Sequence, residues 1–168
     1  MTNNLFEINF DKKRSKSTNS LGMREMQARV YEKRNSKYLL VKAPPASGKS
    51  RALMFVGLDK LKNQGLKKII IAVPERSIGK SFRNTELKKY GFYWDWNVKL
   101  QNNLTIGIGE TSKVKRFVEF MNSNEKEDNI LISTHATLRY AFEELDDSVF
   151  DNSLLAIDEF HHVSRDDS

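Results

Sequence analysis

Residues 43–50 read Ala43-Pro44-Pro45-Ala46-Ser47-Gly48-Lys49-Ser50, and their setting decides the fold. The apolar run Tyr38-Leu39-Leu40-Val41 precedes them, and a segment with helical apolar spacing follows. A strand, a loop ending Gly-Lys-Ser and then a helix is the layout of a phosphate-binding loop. Backbone N–H groups at such a helix start, from Ala46 and Ser47 through Arg51, point at a triphosphate. Lys49 neutralises the outer phosphates as a point charge, and the Ser50 hydroxyl suits Mg²⁺, a hard cation that prefers oxygen. Gly48 lets the backbone approach without a Cβ in the way. The strict pattern begins with Gly, and Ala43 stands there instead. On the loop alone, a short Gly-Lys-Ser turn with no nucleotide therefore stays open.

A second motif shifts that balance. Leu154-Leu155-Ala156-Ile157 is wholly apolar and ends in Asp158-Glu159. Such a run suits a buried parallel strand. The two acids then fall at the C-terminal rim of the sheet, where α/β proteins bind ligands. Asp158 can hold Mg²⁺, and Glu159 can orient and deprotonate an attacking water, with Glu159 and Lys49 as the catalytic pair. An acidic pair after a strand is by itself usually a solvated loop. Joined to an upstream phosphate loop, it makes an NTP-hydrolysing site the favoured reading.

Together the two motifs resemble the N-terminal motor domain of a superfamily 2 helicase or translocase. Asp158-Glu159-Phe160-His161 fits the DExH form of that family's second motif. Three further segments fall in the family's order. Arg24-Glu25-Met26-Gln27 lies upstream of the loop, where a Gln often reads adenine. Val73-Pro74-Glu75-Arg76-Ser77-Ile78 follows the second strand, where motif Ia touches the nucleic-acid backbone. Ser133-Thr134-His135-Ala136-Thr137-Leu138 follows a later strand, like motif Ib or Ic. The resemblance spans about residues 21–162 and is closer to bacterial DEAD/DEAH helicases or restriction-type motor subunits than to RNA-remodelling DEAD-box proteins. Ser81 stands where motif Ia often ends in Gln, and Gln27 lacks the pattern that surrounds it in the DEAD-box group.

The resemblance implies an α/β fold, a RecA-like P-loop NTPase with a parallel sheet flanked by helices, incomplete at its C-terminus. It implies ATP and Mg²⁺ as cofactors and nucleic acid as partner, DNA before RNA. It also implies Gln27 at adenine, His161 as a residue coupling motifs, and Pro74, Arg76 and Thr134 at the nucleic-acid backbone.

Composition agrees without deciding. The chain has 168 residues, 39% of them hydrophobic, which fits one globular domain. Lys and Arg number 28 against 22 Asp and Glu, a net charge of +6 that suits a polyanionic partner without requiring one. With no Cys, disulfides and thiolate metal sites are excluded. His135, His161 and His162 show no metal-ligand spacing. No apolar stretch is long enough to span a bilayer and no secretory h-region opens the chain, so a cytoplasmic location is the default.

Along the chain, residues 1–20 read as a mobile basic arm anchored by Leu5, Phe6, Ile8 and Phe10, and residues 21–168 as the ATP-binding domain. Apolar spacing predicts helices over 22–36, from Lys49 to Gly65, near 76–90, over 113–121 and over 136–145. Strands are predicted at 38–43, 68–73, 104–108, 130–133 and up to Asp158. Strands alternating with helices give a parallel sheet. The aromatic cluster Gly91-Phe92-Tyr93-Trp94-Asp95-Trp96 suits packing better than base stacking.

Six residues follow His162. By resemblance, the strand carrying the next, Ser-Ala-Thr-like motif would insert between the phosphate-loop strand and the DExH strand. The expectation is a fragment whose sheet is open between those strands, or closed by their direct pairing. A second RecA-like domain with its arginine fingers, commonly worth about 10³–10⁵ in rate, is also expected outside it. The chain alone should then hydrolyse ATP slowly or not at all, and should not unwind. Two other readings stand beside this one: a truncated module that binds nucleotide or nucleic acid without turnover, and a small P-loop kinase, which the Asp-Glu pair disfavours.

Overall fold

A computed structural model describes residues 5–9, 19–74, 81–107 and 109–160. Five strands and four α-helices run in the order β1 (Leu5–Asn9), α1 (Glu25–Glu32), β2 (Tyr38–Lys42), α2 (Lys49–Asn63), β3 (Lys68–Val73), α3 (Glu110–Asn122), β4 (Ile130–Thr134), α4 (His135–Glu144) and β5 (Ser153–Ile157). All pairings between these strands are parallel, and the strands alternate with helices. This is the α/β architecture the sequence predicts.

The chain divides into two compact units. The first, Met1–Gln64 with Thr85–Trp96, holds the two-stranded sheet β1-β2. Leu5 pairs with Tyr38 and Asn9 with Lys42, and Lys42 Nζ meets Glu7 Oε1 at 2.6 Å. Met26 and Val30 on α1 pack with Ala52 and Val56 on α2 to form the core of this unit. Leu5–Asn9, expected in a mobile arm, are thus a strand; the apolar residues Leu5, Phe6 and Ile8 supply a segment that can pair with the edge of β2.

The second unit, Gly65–Asn84 with Asn97–Ser168, holds a three-stranded sheet in the order β4-β3-β5. Every residue of β3 and β4 is buried. Ile70, Ala72 and Leu131 from these strands pack on Phe117, Phe120 and Met121 of α3 and on Leu138 and Ala141 of α4. β3 lies between two neighbours and is buried on both faces, which explains its unbroken Ile-Ile-Ile-Ala-Val run. β5 is an edge of this sheet and only half-buried, with Leu155 37% exposed. β2 and β5 therefore belong to different sheets, and the direct pairing considered for them is not made.

Two predicted elements are absent. Residues 104–107 form no strand: the Leu104 N–H reaches the Ile132 carbonyl at 2.8 Å, but Ile106 is 60% exposed and Gly107 turns the chain at φ 100°. The helix predicted near 76–90 is not formed over 81–90, where Ser81–Phe82 are 3-10 and the 3-10 turn Lys88–Tyr90 closes on Gly91 at φ 86°. Polar side chains compete for the backbone there. The Asp95 carboxylate accepts from the N–H groups of Leu87 and Lys88, both at 2.8 Å, and Thr85 bridges Trp96. Phe92 and Trp96 are buried, so packing accounts for most of the aromatic cluster, as expected.

Candidate functional site

The phosphate-loop sequence is built as a strand–loop–helix unit. β2 ends at Lys42, a turn follows in which the Ser47 N–H reaches the Pro44 carbonyl at 3.3 Å, and α2 begins at Lys49. Ala46 has φ 60° and Gly48 φ 93°, the left-handed region that favours glycine. These two turns bring the chain into the start of α2, whose first N–H groups have no partner within the helix. Lys49 and Ser50 open that helix and Arg51 follows, so residues 46–51 converge on one helix N-terminus, as the sequence predicts.

The loop rests on a partner the sequence pattern only half reveals. Gln27, on α1 and 2% exposed, donates from Nε2 to the Gly48 carbonyl at 3.1 Å. Its Oε1 accepts the Arg24 backbone N–H at 2.9 Å, closing the first turn of α1. Arg24 Nη1 adds a bond to the Ala46 carbonyl at 3.4 Å. Glycine suits position 48 by its φ, and a Cβ there would press on the Gln27 side-chain amide. Gln27, expected at adenine, is thus also the brace under the loop. Arg24 was not expected in any such role; its place three residues before Gln27 is the signal that could have found it.

Two polar atoms here lack partners among the described residues. Ser47 Oγ in the loop and Nε of the Arg51 guanidinium are both buried. An orphaned hydroxyl, a left-handed glycine and a lysine at a helix start together fit a bound triphosphate; leaving the hydroxyl unpaired costs about 1–3 kcal/mol otherwise. Further along α2, Asp59 is 3% exposed and accepts from Tyr31, Tyr93, Asn63 and Gln64, with Arg34 Nε at 3.4 Å. Burial opposes its ionisation, but the bonds from Gln64, Asn63, Tyr93 and Tyr31 outweigh burial and hold its carboxyl below the ordinary range. This knot ties the 85–96 segment to α2.

The acidic motif stands at the end of β5. The Asp158 N–H continues the ladder to the Ala72 carbonyl at 2.8 Å, and the Asp158 carbonyl meets His135 Nε2 at 3.0 Å. The Glu159 N–H then turns onto Asp158 Oδ1 at 3.1 Å, with Glu159 at φ 51°. A non-glycine residue in that region costs about 1–3 kcal/mol, and such strain concentrates at functional sites. His135, which had no assigned role, thus contacts this turn. Thr134 is 7% exposed; its hydroxyl accepts from the Thr137 N–H at 3.2 Å and so caps α4. Pro74 closes β3 half-buried. Arg76 and His161 lie outside the described residues.

A phosphate loop at the start of a helix and an Asp-Glu turn at the end of a parallel strand define a P-loop protein of the α/β class. Residues 24–168 match the DEAD/DEAH box helicase family, and the chain belongs to that family. It is 68% identical over 164 residues to "Putative ATP-dependent helicase YeeB" of Bacillus subtilis (strain 168), an alignment covering 97% of this chain and 27% of that relative. The chain thus spans about a quarter of the length of the relative it matches. No solved structure matches it. Among the described residues, no helix is long and apolar enough to cross a membrane.

Proposed function

We propose that this chain is the ATP-binding part of a nucleic-acid motor, in which Mg-ATP hydrolysis drives movement on DNA or RNA. The observation that carries the reading is the phosphate loop itself: a left-handed Gly48 braced by Gln27, with Lys49 and Ser50 opening α2. Membership of the helicase family and the name of its relative support it.

In this reading the N–H groups of residues 46–51 bind the phosphates, and Lys49 neutralises the charge that grows on them during transfer. Ser50 and Asp158 would supply oxygen ligands for Mg²⁺, a hard cation that would neutralise phosphate charge. Glu159 orients the attacking water and takes its proton. Pro74, Arg76 and Thr134 contact the nucleic-acid backbone, DNA before RNA, and His161 couples the two activities. A second RecA-like domain supplies the remaining catalytic cations, and the protein works in the cytoplasm.

A second reading, a module that binds nucleotide without turning it over, is favoured by one observation: β2 and β5 lie in separate sheets. Phosphate release by the purified chain, with single-stranded DNA, with RNA and with neither, separates the two. The motor reading expects Mg-ATP binding with slow turnover that Glu159→Gln abolishes while binding persists. Binding with no turnover under any condition supports the second. Strand separation by this chain alone contradicts the need for a second domain.

A further inference from the structure

The phosphate loop accounts for the charged end of a nucleotide and leaves the base to be placed. Both ends of the Gln27 amide are engaged inside the protein, on Gly48 and on Arg24, and the residue is 2% exposed. Its capacity to read a base edge is correspondingly reduced. Beside the same first turn of α2 stands an aromatic ring that the core does not need. Tyr90, in the 3-10 turn Lys88–Tyr90, is 38% exposed, whereas Phe92 and Trp96 of the same segment are 4% and 0% exposed.

The Tyr90 ring is positioned from three sides. The chain passes so close at Gly22 that a Cβ there would stand 3.0 Å from ring atoms Cγ and Cδ1, and Gly22 has φ 67°. The Arg51 guanidinium lies 4.9 Å from the ring centroid and 5.6 Å from that of Phe55. Lys89 Nζ lies 5.2 Å from the ring. Arg51 immediately follows Ser50, so the brace of the ring and the ligand of the phosphates are adjacent on one helix turn. A cation against a ring holds it electrostatically, and Tyr90 nonetheless keeps 38% of its surface exposed.

Resting on the nucleotide reading of residues 46–51, we propose that Tyr90, held by Gly22 and Arg51, is the platform on which the base of the bound nucleoside triphosphate stacks. Stacking recognises a π-face rather than a hydrogen-bond pattern. The site therefore favours purine over pyrimidine triphosphates and discriminates little between ATP and GTP.

Calorimetric titration of the 168-residue chain with Mg-ATP and, separately, with Mg-tripolyphosphate tests this, using wild type, Tyr90→Ala, Tyr90→Leu and Lys49→Ala. Tyr90→Leu keeps bulk against Gly22 without a π-face, so it serves if the alanine variant melts early. The expected result is an ATP affinity about tenfold lower in both Tyr90 variants, the loss typical of one base–aromatic stack. Tripolyphosphate affinity should stay within about twofold, and Lys49→Ala should weaken both ligands. Equal weakening of ATP and tripolyphosphate in the Tyr90 variants, or no weakening of either, overturns the platform while leaving the phosphate loop intact. A well-folded wild type that binds neither ligand overturns the nucleotide reading and the platform with it.

Discussion

The phosphate loop and the Asp-Glu turn both stand where a strand ends, yet they are held by different means. The loop has no ladder to follow after Lys42; side chains from α1 fix it, Gln27 on the Gly48 carbonyl and Arg24 on the Ala46 carbonyl. The turn is carried by the sheet, with the Asp158 N–H still paired to β3 and His135 closing on the Asp158 carbonyl. Left-handed backbone appears in both, at Ala46 and Gly48 in the loop and at Glu159 in the turn. A glycine there is unstrained. Alanine and glutamate there carry strain, which concentrates at functional sites.

Substitution at Gly48 and at Glu159 breaks the comparison most sharply. Gly48→Ala meets both the φ of 93° and the Gln27 side-chain amide. It should cost about 2–3 kcal/mol in a chemical or thermal melt and remove ATP binding. Glu159→Gly relieves φ 51° at the turn, so it should be neutral or stabilising by up to about 1 kcal/mol, with turnover lost and ATP binding kept. A destabilising Glu159→Gly would mean that the carboxylate is structural.

Removing the brace is the next largest effect. Gln27→Ala deletes one bond to the loop and one to the start of α1 and should cost about 1–2 kcal/mol, weakening ATP and tripolyphosphate alike. His135→Ala should cost about 1 kcal/mol and slow turnover without changing ATP affinity. The smallest effect is one of pH. Because Asp59 is held below the ordinary carboxyl range, it stabilises the fold above its unfolded value of about 3.9, and that stability is lost as pH falls through the lower folded value. Melts between pH 6 and pH 3 should therefore show a steeper acid loss in wild type than in Asp59→Asn.

β2 with its loop and α2, together with β3, β4 and β5, were legible because each strand is an apolar run bounded by a residue with one use: Gly48, Pro74, Thr134 or Asp158. The 85–96 segment was not. Its shape is set by Asp95 on the Leu87 and Lys88 N–H groups and by Tyr93 on Asp59, contacts that leave no periodicity. β1 was missed because Leu5–Asn9 finds its partner about thirty residues away, at Tyr38–Lys42. In the candidate site, residues 46–51 were readable as a loop leading into a helix, since the motif fixes their type and spacing. Arg24 and His135 act by supporting backbone carbonyls, which many residue types can do; only the spacing of Arg24 from Gln27 offered a signal, and nothing local marked His135.

The central claim is that residues 46–51 hold the phosphates of Mg-ATP. Its most direct test is equilibrium binding of labelled ATP to the purified 168-residue chain with Mg²⁺, beside Lys49→Ala, both shown to melt cooperatively. Saturable binding to wild type that falls at least about tenfold in the variant, the loss of one charge-assisted contact, is the expected result. Equal binding by the two proteins, or none by a cooperatively folded wild type, contradicts it.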